Sequence, residues 1–169
     1  MAANLVQVDT ETITSGTASV TLTGINSNDV YMVTISNCAG TADANFNMRV
    51  TTSGTADSDS EYDKASYVFK ANAAFSTTSD ENEAQWRING TVGTATGEQT
   101  NHIIYLYNFN DSGEYSLYSN ESAKLNSSTI LDSYQGSGLH TVTEANDGVN
   151  FFFTSGDIES GTFTLYKVI

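Results

Sequence analysis

Apolar and polar positions alternate with a period of two along most of this chain, and the 3.6-residue periodicity of an amphipathic helix is hard to find in it. The pattern predicts an all-β protein. LVQVDTETI places Val6 and Val8 on one face, and ASVTLTGI does the same with Ala18, Val20 and Leu22. Ser15-Gly16 between them reads as a hairpin turn that pairs the two strands. VYMVTIS, residues 30–36, is apolar on both faces, as expected of a central strand covered on two sides. NFNMRVT alternates more cleanly, with Phe46, Met48 and Val50 facing in and Asn45, Asn47 and Arg49 facing out.

The polar, acidic stretch TSGTADSDSEYDKA leads into SYVFKA, whose Tyr67 and Phe69 are expected inward, opposite Val68 and Lys70. With the preceding strand it predicts a long hairpin with an acidic tip. QWRING turns Trp86 and Ile88 inward, and HIIYLYNF puts Ile103, Tyr105, Tyr107 and Phe109 on one inward face. EYSLYS, STILDSY, LHTVT and VNFFFT supply further strands. The chain closes on a turn at Ser155, Gly156 and Asp157 and a strand with Phe163 and Leu165 on one side and Thr162, Thr164 and Tyr166 on the other. About ten short antiparallel strands are too many for one open sheet and predict a two-sheet β-sandwich of the jelly-roll kind. Proline is absent, and neither a charged linker nor a repeat period divides the chain. Residues 1–169 therefore read as one domain, within which 1–14 can serve as an exchanged or docking N-terminal strand.

Composition adds limits on partners. Twenty acidic residues against six basic ones give a formal charge of -14, which offers little to phosphate backbones or anionic lipid. Neither nucleic acid nor membrane is an expected partner, and no stretch approaches the roughly 18 apolar residues of a membrane-spanning helix. The single Cys38 has no partner for an internal disulfide and reads as a small buried thiol.

Candidate chemistry is sparse. In DSDSEYD the carboxylates of Asp57, Asp59, Glu61 and Asp63 recur at every second residue, as hard oxygen ligands for calcium would. Tyr62 stands where an EF-hand loop needs glycine, and Val68 where it needs a bidentate glutamate. A calcium-binding β-loop or a solvated acidic tip remains, and no other cofactor is expected. His102 and His140 each lie in a predicted strand and read as surface or satisfied core rather than as base or metal ligand. No H-E-x-x-H, G-x-S-x-G, P-loop or cysteine-rich zinc pattern is present, so the expectation is a protein without catalytic residues. The paired carboxylates of a glycosidase can still lie hidden among twenty acidic residues. The tyrosines of HIIYLYNFNDSGEYSLYS read either as cross-strand packing or as a sugar-stacking face, with Tyr115 and Tyr118 as the glycan-binding candidates beside the loop.

The ending GVNFFFTSGDIESGTFTLYKVI, preceded by HTVTEAND, resembles a recurrent ending of bacteriophage virion structural proteins. In that family a strand of the form GIRFLFSSG leads through a turn to ASGTFTLYG. Here Glu159 replaces the usual alanine and Lys167 the usual glycine. Upstream, YMVTISNCAGTADANFNMRVTTSGTADSDSEYDKASYVF is similar to the family's strand, R-x-T-x-S-G loop and tyrosine-containing strand. The resemblance implies a β-rich, non-enzymatic virion protein of a tailed phage, and carries over no catalytic residue. Among virion parts, a chain whose strand pattern begins by Leu5 suits a capsid decoration or cement protein, knob-like on the head surface and made in the host cytoplasm. Its partners would be the major capsid protein or other virion proteins and copies of itself, with a trimer favoured. A short tail-fibre or adhesin domain that binds host surface glycan stands as the alternative, and a glycan-cleaving enzyme comes third.

Overall fold

Thirteen β-strands and no helix make up the described residues, 4–169, of the computed structural model. They are β1 (Leu5–Ile13), β2 (Val20–Thr23), β3 (Tyr31–Gly40), β4 (Ala44–Thr52), β5 (Thr55–Ala56), β6 (Tyr62–Lys70) and β7 (Ser76–Glu83), then β8 (Trp86–Val92), β9 (Thr100–Tyr107), β10 (Leu117–Leu125), β11 (Leu131–His140), β12 (Gly148–Phe153) and β13 (Ile158–Val168). An eight-stranded sheet runs β1-β13-β3-β9-β10-β11-β6-β7. A five-stranded sheet runs β2-β12-β4-β5, with β8 also paired to β4. All pairings are antiparallel, and the two sheets enclose one core, so the chain is a β-sandwich. Two strands escape the alternation: β5 has only two residues, and β7 (STTSDENE) has no apolar position. STILDSY and LHTVT belong to a single strand, β11, and its continuation.

Alternation places most of the core correctly. Tyr31, Val33 and Ile35 of β3, and Phe163 and Leu165 of β13, point inward from the larger sheet. Phe46, Met48 and Val50 of β4, Trp86 and Ile88 of β8, and Phe151 of β12 meet them from the smaller one. Phe46 lies at the centre, its ring centroid 4.9 Å from Phe153 and 5.4 Å from His102. Aromatic rings at this spacing fill the gap of roughly 10 Å between packed sheets.

Two expected hairpins do not form. β1 pairs with β13 and β2 with β12, so Ser15-Gly16 carries the chain from one sheet to the other. Likewise β4 and β6 lie in opposite sheets, and the acidic residues 57–61 form the crossing. Strands on either side of a core present the same inward apolar alternation, so the pattern identifies the buried side of a strand but not its sheet. Within the 1–14 segment, β1 lies along β13 of its own chain, and Asn4 and Ile169 exchange backbone hydrogen bonds of 2.7 and 2.9 Å. Residues 1–3 of that segment lie outside the described part.

Two strands take the opposite register from the one expected. On β6 the inward residues are Tyr62, Lys64 and Val68, while Tyr67 is 58% exposed and Phe69 half-buried on the outer face. Tyr62 fixes this register, since its hydroxyl donates to Asp57 O (2.9 Å) and accepts from Val50 N (3.3 Å). On β9 the inward residues are His102, Ile104 and Leu106, and Ile103, Tyr105 and Tyr107 face out. Phe109 is buried as expected, because Asn108 takes a φ of 60° just past the strand and redirects the chain.

Two further turns hold the chain between strands. Thr51 Oγ1 (2.7 Å) and Gly54 N (2.9 Å) both donate to the Asp147 carboxylate, which holds the turn where Ser53 and Gly54 adopt positive φ. The turn at Gly156 (φ 71°) then passes the chain from β12 in the smaller sheet to β13 in the larger.

Candidate functional site

The outer face of the eight-stranded sheet is nearly free of charge. One cross-strand row reads Thr10, Thr164, Thr34, Ile103, Glu121, Gln135, Tyr67 and Thr77. The next reads Gln7, Tyr166, Met32, Tyr105, Ser119, Ser137, Ala65 and Ser79. Two rows of eight positions thus carry one charge, Glu121, whose Oε1 accepts from Gln135 Nε2 at 2.9 Å. Many of the other acidic groups lie on loops and on the two edge strands: Asp80, Glu81 and Glu83 on β7, Asp9 and Glu11 on β1, Asp57, Asp59 and Glu61 in the crossing. Eight strands at about 4.8 Å spacing make this face roughly 34 Å wide. Threonine and serine hydroxyls cover it, broken by Ile103 (46% exposed), Tyr105 and Tyr67.

An open groove of about 640 Å³ crosses this face between Thr34, Ile103, Phe69 and Gln135. A neighbouring one is lined by Tyr105, Tyr107, Ser119, Glu121 and Gln135. Small side chains on β10 and β11 leave these depressions between the larger residues of β9 and β6. Such a surface hydrogen-bonds and buries apolar rings without the cost of stripping water from charged groups.

The proposed glycan pair separates. Tyr115 is exposed beside the β9–β10 loop, but Tyr118 is buried, 4.8 Å ring to ring from Trp86, and burial pushes its hydroxyl well above the usual phenol range. Its inward position follows from the inverted register of β9, to whose Leu106 it pairs. The exposed rings on that side are Tyr105 and Tyr107, which alternation alone had directed inward.

The four acidic residues of DSDSEYD separate as well. Asp59 is exposed, its backbone N–H donating to Asp57 Oδ1 (2.8 Å), and Asp63 Oδ1 accepts from Asn82 N (2.8 Å) in the β6–β7 pairing. Asp57 and Glu61 instead turn toward His140, whose side chain is fully buried. His140 Nε2 stands 3.2 Å from Asp57 Oδ2 and 3.4 Å from Glu61 Oε2, and its Nδ1 lies 4.0 Å from Glu144 Oε1. Burial, then the nearby Asp57 carboxylate, hold the Glu61 carboxyl above its ordinary range. Sequence offered no link between Asp57 and His140, 83 positions apart; the i,i+4 pair His140 and Glu144 was its one local sign.

His102, by contrast, is a satisfied core histidine, as its strand position suggested. Asn120 Nδ2 donates to Ile88 O (3.1 Å), so Asn120 Oδ1 accepts from His102 Nδ1–H (2.8 Å). Nε2 then accepts from the Thr100 hydroxyl (2.8 Å), which in turn accepts from Asn89 Nδ2 (2.9 Å). Burial lowers its pKa to about 4, outweighing the Asn120 bond, and the ring is neutral near pH 7. Cys38 is fully buried, which pushes its thiol far up and keeps it protonated. Compared with models of protein families and with curated protein sequences, the chain matches none of them.

Proposed function

We propose that this chain is a non-enzymatic structural protein of a tailed-bacteriophage virion, a decoration protein that binds the capsid shell through the outer face of its larger sheet. The observation that carries the binding role is a two-row face with a single charge, Glu121, on a chain of net charge -14. Charge is depleted where proteins meet and retained where they face water. Presented outward, the acidic loops and edges would keep decorated particles apart. The resemblance of the β12–β13 ending to phage structural proteins supplies the setting. Repetition over a shell lets modest contacts act together, and association of copies into a trimer would add to this. The larger groove holds one carboxylate, Glu121, where glycoside hydrolysis by protein groups alone uses two, which favours binding over turnover.

A tail adhesin is the second reading, favoured by the exposed rings of Tyr105 and Tyr107 beside the polar groups of Ser119, Glu121 and Gln135. Rings flanked by hydrogen-bonding groups suit a pyranose. Copy number in purified virions, by quantitative mass spectrometry with antibody labelling under the electron microscope, separates the two. Many copies spread over the head support decoration. A few copies at the tail overturn it in favour of the adhesin, and absence from virions overturns both.

A further inference from the structure

We propose that Asp57, Glu61 and His140 form a binding site for a zinc-class divalent cation, with Glu144 as the carboxylate that orients the imidazole. Both distances from His140 Nε2 are those between neighbouring ligands around a small ion. Ligands at about 2.0–2.2 Å from a tetrahedral metal lie a little over 3 Å from one another. Nε2 lies 3.2 and 3.4 Å from one oxygen of each carboxylate. Asp57 is held for this role, since its Oδ1 takes the Asp59 N–H and leaves Oδ2 for the ring. One atom each from Asp57, His140 and Glu144 also fall within 4.8 Å of one another, so the fourth group belongs to the same cluster.

A second observation points to a ligand. His140 is fully buried, yet among the described residues its Nδ1 makes no hydrogen bond, and it faces Glu144 at 4.0 Å. A buried polar atom without a partner is costly, and a neutral imidazole can satisfy only one of two carboxylates through Nε2. A cation on Nε2 serves both carboxylates at once and leaves the ring proton on Nδ1, the side that faces Glu144. It draws Asp57 and Glu61 together by charge and fixes the ring proton on Nδ1, where a small movement of Glu144 completes the carboxylate–histidine–metal arrangement. The half-open carboxylates of Asp57 and Glu61 give an ion its way in, and three protein ligands leave a position for water.

The ring nitrogen decides the class of metal. Calcium takes six to eight oxygens, and only two of the four expected acidic residues converge here. Imidazole with carboxylate suits zinc and its neighbours. The ion would join the β5–β6 crossing to the end of β11, where Thr141 N already donates to Glu61 O at 2.8 Å. It would thus staple the segment that passes between the sheets.

The test is titration of the metal-stripped full chain with zinc, followed by calorimetry and by thermal unfolding. The single tryptophan, Trp86, has its ring 6.4 Å from that of His140, so quenching of its fluorescence by cobalt(II) reports occupancy independently. One equivalent should bind, with Tm raised by about 5–10 °C at roughly 100 Kd of free zinc. Asp57→Asn, Glu61→Gln and His140→Gln should abolish uptake, and Glu144→Gln should weaken it about 10–100-fold. Should His140→Gln fail to fold, the near-isosteric changes at half-exposed Asp57 and Glu61 carry the test alone. Absence of uptake by the unaltered chain overturns the site. Uptake that survives both carboxylate changes overturns it equally, as does loss confined to Glu144→Gln.

Discussion

Gly138 of β11 makes room for Trp86: a Cβ at this position would lie 2.7 Å from the indole Nε1 and closer still to the ring of Tyr118. The indole is held by two hydrogen bonds, to Asp63 O (3.1 Å) and Leu139 O (3.2 Å), so it cannot swing aside without losing them. Gly138→Ala should therefore destabilise the fold by about 1–3 kcal/mol through overpacking. Gly113→Ala, in an exposed loop, should stay within about 0.5 kcal/mol. Urea unfolding followed by Trp86 fluorescence measures both, and equal midpoints would show that the indole relocates freely.

Lys124 and Asp132 form a buried ion pair, Nζ to Oδ2 3.3 Å, with a second Nζ bond to Thr91 O of 2.8 Å. Burial lowers the Lys124 pKa and Asp132 raises it in part, so the charge depends on its partner. Asp132→Ala should cost about 3–5 kcal/mol by leaving an uncompensated buried ammonium. Lys124→Met combined with Asp132→Leu should recover most of that loss. A double-mutant cycle in urea gives the coupling, and additive losses would refute it.

The ending GVNFFFTSGDIESGTFTLYKVI proves to be core-forming: Phe151 and Phe153 face Phe46 from β12, before the Gly156 turn, and Phe163 and Leu165 of β13, after it, close the other side. That is why it was legible, since a buried face fixes period-two spacing. β9 was misread for the opposite reason. His102, Ile104 and Leu106 alternate with Ile103, Tyr105 and Tyr107, and both sets are hydrophobic enough to be the inner one. The decision rests on Asn120 and Thr100 satisfying His102, and Asn120 lies 18 residues away on the next strand. Sheet membership and the His140 cluster are non-local in the same sense, because Asp57 reaches His140 only after the chain has crossed between the sheets.

His102 makes stability depend on acid. Its folded pKa is about 4 against an ordinary 6.5, so the unfolded chain takes up a proton first as pH falls. The contribution is complete above about pH 6.5 and is lost as pH drops through about 4, a decline on the order of 3 kcal/mol. His102→Gln should be less stable near neutrality but should show a flatter decline over this window. Urea midpoints at about pH 7 and about pH 4, for the two proteins side by side, measure it. Parallel declines would assign the acid sensitivity to other groups.

Ile103 pairs across the outer face with Thr34 and Glu121, at the middle of the charge-poor rows. Its side chain is 46% exposed, so Ile103→Asp, which sets a carboxylate opposite Glu121, should cost only about 1 kcal/mol of stability, while any partner seated there would have to bury a new carboxylate. Binding to capsid shells lacking the protein should weaken at least about tenfold, a loss of about 1.4 kcal/mol. Glu159→Lys, exposed near the start of β13, should leave it unchanged apart from salt dependence. Co-sedimentation of the purified variants with such shells reads the difference. Equal binding by Ile103→Asp and the parent would remove the outer face from the shell contact. Tyr105→Ala then separates the remaining uses of that face: retained shell binding with lost adsorption to host cells would mark the tyrosine as a glycan contact.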